Sequence, residues 1–184
     1  MALRVFPGLE LIAAEPGPGP RAILENRFSG RRNVLIDPRA VTDAPGKTQY
    51  HVTRSSVFAS LLEPMPSLSD LYSVGFPTEV LKTIEVSTVT LDELVGERPV
   101  SILKLDVQGS ELGVLRGGSQ VLASTAAVLI EVLFLPHYEG DTLFPGIHAA
   151  MTDLGFTLME LRPFRLRDGP VLWADACYAQ DSGR

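Results

Sequence analysis

Cysteine is the scarcest chemically useful residue in this sequence. Among 184 residues only Cys177 is a cysteine. A disulfide needs two cysteines, and a cysteine-based zinc site needs several, so the sequence excludes both kinds of internal crosslink. A hydrophobic core must supply the stability instead. With 45% hydrophobic residues, a chain of 184 residues is long enough for one ordinary globular domain.

Positive charge and long apolar runs are also in short supply. The chain has 16 Lys and Arg residues against 22 Asp and Glu residues, and its net charge of −6 argues against a nucleic-acid partner. No apolar run is long enough to cross a bilayer, and the first residues lack the charged-then-apolar order of a signal peptide. The composition therefore predicts a cytoplasmic protein that binds neither nucleic acids nor membranes.

What the sequence does contain is a regular alternation of apolar strand patterns and helix patterns. Strands are predicted at 9–15, 33–37, 47–53, 83–90, 100–107, 126–134, 156–161 and 173–180, and helices at 20–28, 110–124 and 147–155, with another capped helix start at Thr90. Such alternation is typical of an α/β fold whose mostly parallel sheet carries helices on both faces. We expect a single domain over residues 1–184.

Residues 54–83 interrupt this alternation. Prolines and serines are frequent there, and the segment is predicted to be an irregular insertion with one helical turn near 68–74. A turn at Asp168-Gly169 is expected to join the last two strands.

The stretch "VSILKLDVQGSELGVLRGG" places two charges in a strand that otherwise looks buried. Lys104 and Asp106 share one face of that strand, roughly 7 Å apart, because strand side chains alternate. Asp106 lies near the carboxyl end, where ligands bind in open α/β sheets, and Gly109 lets the chain turn into the next helix, which Ser110 can cap. Two interpretations stay open: Lys104 keeps a catalytic Asp106 ionised, or the pair only fixes the turn.

Two further acids end neighbouring strands. Glu131 stands near the end of "VLIEVLF", so with Asp106 it could bind a cation or substrate hydroxyls, or share a proton. The alternative for Glu131 is a structural pair with Lys104 or an arginine. Glu15 ends the first strand, a position at which an acid commonly accepts hydrogen bonds from ribose hydroxyls.

Four segments in this order carry a family resemblance: "AAEPGPGPRAILENR", "SSVFAS", "VTLDELVGERPVSILKLDVQGSELGVLRGG" and "VLIEV". Together they resemble the FkbM family of S-adenosylmethionine-dependent methyltransferases. The third segment is the specific one, because it is similar to the family's Thr-Leu-Asp helix start and its Lys-x-Asp-x-Glu-Gly-x-Glu strand and turn. The resemblance implies a Rossmann-like class I methyltransferase sheet with a C-terminal antiparallel strand. It also implies methyl transfer to a small-molecule acceptor, often a hydroxyl of a sugar or natural product.

The resemblance also assigns roles to individual residues. It implies cofactor binding by Glu15, Pro16 and Asp37, catalysis by Lys104, Asp106 and Glu131, and substrate binding by Ser55, Ser56 and Glu111. Asp106 and Glu131 would be the ligands of a divalent cation if one binds. His137 is the alternative base because its unperturbed pKa is near neutral, although many such histidines simply lie in surface loops.

The sequence departs from the family pattern in two places. Gln108 stands where the pattern usually has Glu, and the family's first strand with its glycine-rich, Asp-x-Gly-Ala-Asn-like loop is not found. That strand would lie between the strands at 9–15 and 100–107. Without it, both of these strands would have unpaired backbone N–H and C=O groups. Three explanations stay open: a fragment of a longer protein, a strand supplied by a partner chain or a second copy, or a rearranged sheet with a degraded cofactor site.

The competing functions belong to other classes. A remnant of a methyltransferase could act as a non-catalytic binding module, which the two departures favour. A nicotinamide-dependent oxidoreductase is the third class, and the absence of a Gly-x-Gly-x-x-Gly motif argues against it.

Overall fold

The computed structural model describes residues 8–65, 77–165 and 169–180 of the chain. Its strands are β1 (Leu11–Ala14), β2 (Val34–Asp37), β3 (Ala40–Thr42), β4 (Gly46–Thr53), β5 (Val80–Thr90), β6 (Ile102–Leu105), β7 (Ala127–Leu133), β8 (Phe156–Arg165) and β9 (Val171–Gln180). Its α-helices are α1 (Pro18–Arg27), α2 (Leu91–Val95), α3 (Glu111–Arg116), α4 (Ser119–Ser124) and α5 (Phe144–Asp153), and a 3-10 turn spans Ser56–Phe58. The helical turn expected at 68–74 and Asp168 of the expected last turn lie outside the described residues.

The fold is α/β with mixed sheets. In the largest sheet the strand order is β6-β7-β9-β8, with β6 parallel to β7 and β9 antiparallel to both of its neighbours. A second sheet has the order β3-β5-β4, in which only the β3–β5 pair is parallel. In the largest sheet only β9 runs against the other strands, which agrees with the expected C-terminal antiparallel strand. The antiparallel pairing of β4 with β5 in the second sheet was not expected, so the sheets are mixed rather than mostly parallel.

One face of the largest sheet carries the core. Alternate residues of β7 and β9, such as Ile130 and Ala176, are fully buried against the helices. Val114 of α3, Leu122 of α4 and Met151 of α5 complete this layer. The other face of β7 presents Glu131, because strand residues alternate between faces. The strand pattern thus places one acid opposite a fully apolar face.

The third sheet is a separate two-stranded one in which β1 pairs in parallel with β2. Within the described ranges, β1 pairs with no strand but β2, and β6 with none but β7. Ile102, at the start of β6, is 69% exposed. Both strands therefore offer an unpaired backbone edge in this chain.

Two local signals were read correctly from the sequence. Thr90 and Glu93 form the expected capping box at the start of α2. The Gly117-Gly118 pair separates α3 from α4, and a side-chain carbon at Gly117 would collide with the carbonyl of Thr42. The strand after the irregular segment begins earlier than predicted, at Val80, because Val80 and Lys82 pair with the end of β4.

In the ranges described, no helix is long and apolar enough to span a bilayer.

Candidate functional site

A cavity of about 500 Å³ opens where the carboxyl ends of β1, β6 and β7 meet. Its polar lining comes from Glu15, Ser56, Asp106, Gln108, Glu131 and His137, and its apolar and aromatic lining includes Pro16, Tyr50, Phe58, Leu133 and Trp173. Ligands of open α/β sheets bind at such strand ends. The position of the cavity agrees with the strand-end acids singled out in the sequence.

Asp106 lies at the edge of this cavity and has two partners. Lys104 Nζ lies 2.6 Å from Asp106 Oδ2, and Gln108 Nε2 donates to Asp106 Oδ1 at 2.8 Å. The side chains of Lys104 and Asp106 are 54% and 44% exposed. An exposed pair of this kind contributes at most about 1 kcal/mol to stability. The pair thus orients Asp106 at the cavity rim more than it holds the fold together.

Glu131 is the more deeply placed acid. Gln108 Nε2 donates to Glu131 Oε1 at 2.7 Å. Burial raises the pKa of Glu131 to about 7, and the nearby negative charge of Asp106 adds to this effect. The alternative of a structural pair was wrong, since among the described residues no lysine or arginine forms an ion pair with Glu131. A carboxyl that titrates near neutral pH can exchange a proton or accept hydrogen bonds from a ligand.

His137 is a buried side chain on the cavity wall and not a surface loop residue. It is 7% exposed, and its Nδ1 lies 2.6 Å from the carbonyl oxygen of Leu135. A carbonyl only accepts hydrogen bonds, so Nδ1 carries the proton and Nε2 keeps its lone pair. Burial lowers the pKa of His137 below its ordinary value, and Nε2 has no hydrogen-bond partner within the part of the chain described. The ring is therefore a neutral base with a free acceptor atom.

Glu15 and Pro16 line the opposite wall of the cavity, after β1. Glu15 Oε1 accepts a hydrogen bond from the backbone N–H of Gly17 at 2.8 Å, which fixes the turn into α1. Burial raises the pKa of Glu15, and Asp106 is close enough to raise it further. Arg21 binds the backbone carbonyls of Glu15 and Pro16 with its Nη1, at 3.3 and 3.1 Å. The carboxyl group thus lies in a fixed position, within electrostatic reach of Asp106.

Four of the predicted site residues do not line the cavity: Lys104, Asp37, Ser55 and Glu111. Asp37 binds Arg39 through both carboxylate oxygens, and this pairing lowers the pKa of Asp37. The backbone carbonyl oxygen of Ser55 accepts a hydrogen bond from Thr53 Oγ1 at 2.7 Å. Glu111 is 2% exposed and accepts from the backbone N–H of Val107 at 3.1 Å, so it closes the turn beneath Asp106. Burial raises the pKa of Glu111 to about 7. The ligand-binding roles of these residues stay predictions.

Gln108 lies between the two acids of the site, and its contacts there were not predicted from the sequence. Gln108 contacts Asp106 and Glu131 with its amide nitrogen, and its Oε1 accepts from the hydroxyl of Tyr138 at 2.6 Å. Ser60 Oγ donates to the backbone carbonyl of Gln108 at 2.6 Å. These partners lie up to 48 residues from Gln108 in the sequence. Only the mismatch with the family motif at position 108 singles this residue out in the sequence.

The charges of the cavity lining decide which ligands it suits. In the three described ranges no group of three or more His, Cys, Asp or Glu side chains converges as metal ligands do. Asp106 and Glu131 instead both accept from the amide of Gln108. The described residues that line the cavity include three carboxylates and neither lysine nor arginine. This chemistry suits a positively charged ligand better than an anion.

Comparisons with known proteins show the family and the fold of this chain. The sequence profile of the methyltransferase FkbM domain matches residues 2–158. The 2-O-methyltransferase NoeI of Sinorhizobium fredii is 25% identical over 149 residues, which cover 76% of this chain and 60% of NoeI. The crystal structure of methyltransferase FkbM from Methylobacillus flagellatus KT superposes with a TM-score of 0.60 at 13% identity, over 97% of this chain and 39% of that one. The chain thus spans less than two thirds of the length of either relative, and the structural likeness shows the fold alone.

Proposed function

This chain belongs to the FkbM methyltransferase family, and we propose that its cavity transfers a methyl group from S-adenosylmethionine to a hydroxyl of a small, uncharged acceptor. The observation that carries the proposal is the convergence of Asp106, Glu131 and His137 on one cavity at the strand ends. The relative named a 2-O-methyltransferase supports oxygen as the atom that receives the methyl group.

The lining of the cavity fits the cofactor. S-adenosylmethionine supplies an electrophilic methyl group on a positively charged sulfur. Carboxylates favour such a cation in a partly desolvated site, and Glu15 and Asp106 are the carboxylates nearest the mouth between β1 and β6. We propose that Glu15 and Pro16 hold the cofactor, with Asp37 supporting them from the end of β2.

The same charge balance favours an acceptor without negative charge. A phosphate or carboxylate on the acceptor would approach Asp106 and Glu131, and no lysine or arginine among the described lining residues would offset the repulsion. Hydroxyl groups instead can donate to these carboxylates. Tyr50, Phe58 and Trp173 add flat apolar surface against which a sugar ring or an aromatic natural product can pack. A neutral sugar or natural product thus fits best.

His137 is the best-placed base for the hydroxyl proton. Methyl transfer leaves the acceptor oxygen with a proton to lose, and a positioned neutral imidazole can take it. Its Nδ1–H bond to Leu135 fixes the tautomer, so the accepting atom is Nε2. Glu131 is the second candidate, because its pKa of about 7 allows it to accept a proton near neutral pH. Asp106, held by Lys104, orients the acceptor.

We also propose that another polypeptide strand completes the cofactor side of the site. The backbone edges of β1 and β6 are unpaired with further strands in the described residues, and both strands end at the cavity. Unpaired edges of this kind readily accept another strand. A second copy of this chain or a different partner chain can supply it.

A methyl-transfer assay with labelled S-adenosylmethionine tests the proposal. The matched acceptors are a neutral methyl glycoside and the same glycoside carrying a phosphate. We expect label in the neutral glycoside and much less in its phosphate. Equal labelling of both acceptors would refute the assignment of an uncharged acceptor. Saturable cofactor binding without labelling of any hydroxyl acceptor would favour a non-catalytic binding module.

A further inference from the structure

Gln108 links the two acids of the site through a single amide group. Its Nε2 lies 2.8 Å from Asp106 Oδ1 and 2.7 Å from Glu131 Oε1, and it donates to both. Ionised carboxylates only accept hydrogen bonds, and a side-chain amide nitrogen has two protons to donate. The two protons are therefore matched to the two acids, one each.

The rest of Gln108 is fixed as firmly as its amide nitrogen. The hydroxyl of Tyr138 donates to its Oε1, and Ser60 Oγ donates to its backbone carbonyl, both at 2.6 Å. Its backbone has a φ of +55°, a left-handed conformation that is unfavourable for a residue with a side chain. Strained residues of this kind persist where the surroundings determine them, and they cluster at functional sites. The turn therefore holds this side chain in one orientation.

A glutamate at position 108 would reverse the electrostatics. It would remove both amide protons and add a third carboxylate between Asp106 and Glu131. The surrounding groups would not offset that charge: Glu15, Glu111, Asp141 and Asp175 are acidic, Tyr138 and His137 are neutral, and Lys104 already binds Asp106 from the solvent side. Three carboxylates at one point must take up a proton or bind a cation.

We propose that Gln108 is a positioning residue that holds Asp106 and Glu131 together through its two amide hydrogen bonds. A carboxylate at the same position would require a divalent cation to hold the two acids together. The inference concerns how the two acids are held, and rests on the proposed function only in taking them as the groups that face the acceptor. It follows that the wild-type acids keep their arrangement without a divalent cation.

The test compares the Gln108→Glu variant with Gln108→Met, which has a similar size and no hydrogen-bonding protons. Thermal unfolding is measured at pH 5.5 and pH 8, with and without MnCl₂, and Mn²⁺ binding is titrated by calorimetry. For Gln108→Glu we expect a larger loss of Tm at pH 8 than at pH 5.5, recovery with MnCl₂, and saturable Mn²⁺ binding. For Gln108→Met we expect a loss that also grows from pH 5.5 to pH 8, but by less than in Gln108→Glu, because the amide no longer favours ionised Glu131. We expect no response of Gln108→Met to MnCl₂.

Two results would overturn the proposal. One is saturable Mn²⁺ binding by the wild-type chain that Gln108→Met abolishes, because the glutamine would then be part of a cation site. The other is a Gln108→Glu variant whose pH dependence matches wild type and which does not respond to MnCl₂. If Gln108→Glu fails to fold at pH 8, refolding it at pH 5.5 or with MnCl₂ gives the same decision. None of these readouts needs methyl transfer, so they are separate from the test of the proposed function.

Discussion

At the scale of single residues, burial decides the chemistry of the cavity. Glu131 and Glu111 both have pKa values raised to about 7, mainly because each carboxyl is removed from water. His137 is affected in the opposite direction, since burial disfavours its protonated form and lowers its pKa. Near neutral pH the site therefore contains an acid close to half-protonation beside a neutral base.

The raised pKa of Glu131 predicts how stability depends on pH. The folded state binds a proton more tightly than the unfolded state, so stability is greatest below the ordinary pKa of 4.5 and falls as the pH rises through about 7. From pH 5 to pH 8, the free energy of unfolding of Glu131→Gln should fall by on the order of 2 kcal/mol less than that of wild type. Urea unfolding at both pH values measures this. The exposed Glu139→Gln should behave as wild type, and an unchanged pH dependence in Glu131→Gln would contradict the assignment.

Catalysis by His137 predicts a loss of turnover without a loss of cofactor binding. His137→Gln keeps a hydrogen-bonding side chain but removes the base, so turnover should fall about 10²- to 10⁴-fold. The affinity for S-adenosylmethionine should stay close to wild type. His51→Gln, on β4 outside the cavity lining, is the matched control. Wild-type turnover in His137→Gln would transfer the role of base to Glu131.

The sequence indicated the acids of the site better than their surroundings. Asp106, Glu131 and Glu15 were identifiable because a carboxylate near the end of an apolar strand is unusual and its direction follows from strand alternation. The hydrogen bonds of Gln108 could not be identified from the sequence, because Glu131 is 23 residues away from Gln108 and Tyr138 is 30 residues away. The burial of His137 was missed for a similar reason: packing against Trp173, at 5.7 Å between ring centres, is a tertiary contact.

At the scale of secondary-structure elements, short-range signals were predictable and sheet pairing was not. The capping box at Thr90 and the break at Gly117-Gly118 depend on neighbours within a few residues. The division into three sheets, and the antiparallel pairing of β4 with β5, depend on which elements meet in space. Periodicity alone carries no such information.

Close packing at Gly117 predicts a large effect from one methyl group. An added Cβ there would overlap the carbonyl of Thr42, whereas a Cβ at Gly113, in α3, would meet its nearest neighbour at 3.8 Å. Gly117→Ala should therefore lower the free energy of unfolding by about 1–3 kcal/mol. Gly113→Ala should leave it unchanged or raise it by up to about 1 kcal/mol, because alanine favours helix. Equal effects of the two variants in chemical unfolding would refute the close contact.

The capping box at Thr90 predicts a smaller effect. Thr90 Oγ1 accepts from the backbone N–H of Glu93 at 3.1 Å, so Thr90→Ala should cost about 1 kcal/mol. Thr152→Ala is the control, because the hydroxyl of Thr152 only bonds back to its own helix, at His148. It should cost nothing measurable. A loss in the control as large as in Thr90→Ala would show that the cap does not stabilise α2.

At the scale of the whole molecule, family, fold and charge agree. The FkbM domain profile covers residues 2–158, and the cavity lies where the strands of an α/β sheet end. The net charge of the chain is −6, and the described lining of the cavity has three carboxylates and neither lysine nor arginine. Binding of the cationic cofactor by the acids of this cavity is therefore the proposal on which the others depend.

Calorimetric titration of S-adenosylmethionine into the purified chain tests that claim most directly, with Glu15→Gln and the exposed Glu10→Gln as matched variants. We predict saturable binding to wild type and Glu10→Gln, and about tenfold weaker binding to Glu15→Gln, because glutamine keeps the hydrogen bond to Gly17 but loses the charge. A folded wild-type chain that binds no S-adenosylmethionine would show that a different partner chain must complete the site. A Glu15→Gln variant with unchanged affinity would contradict the claim.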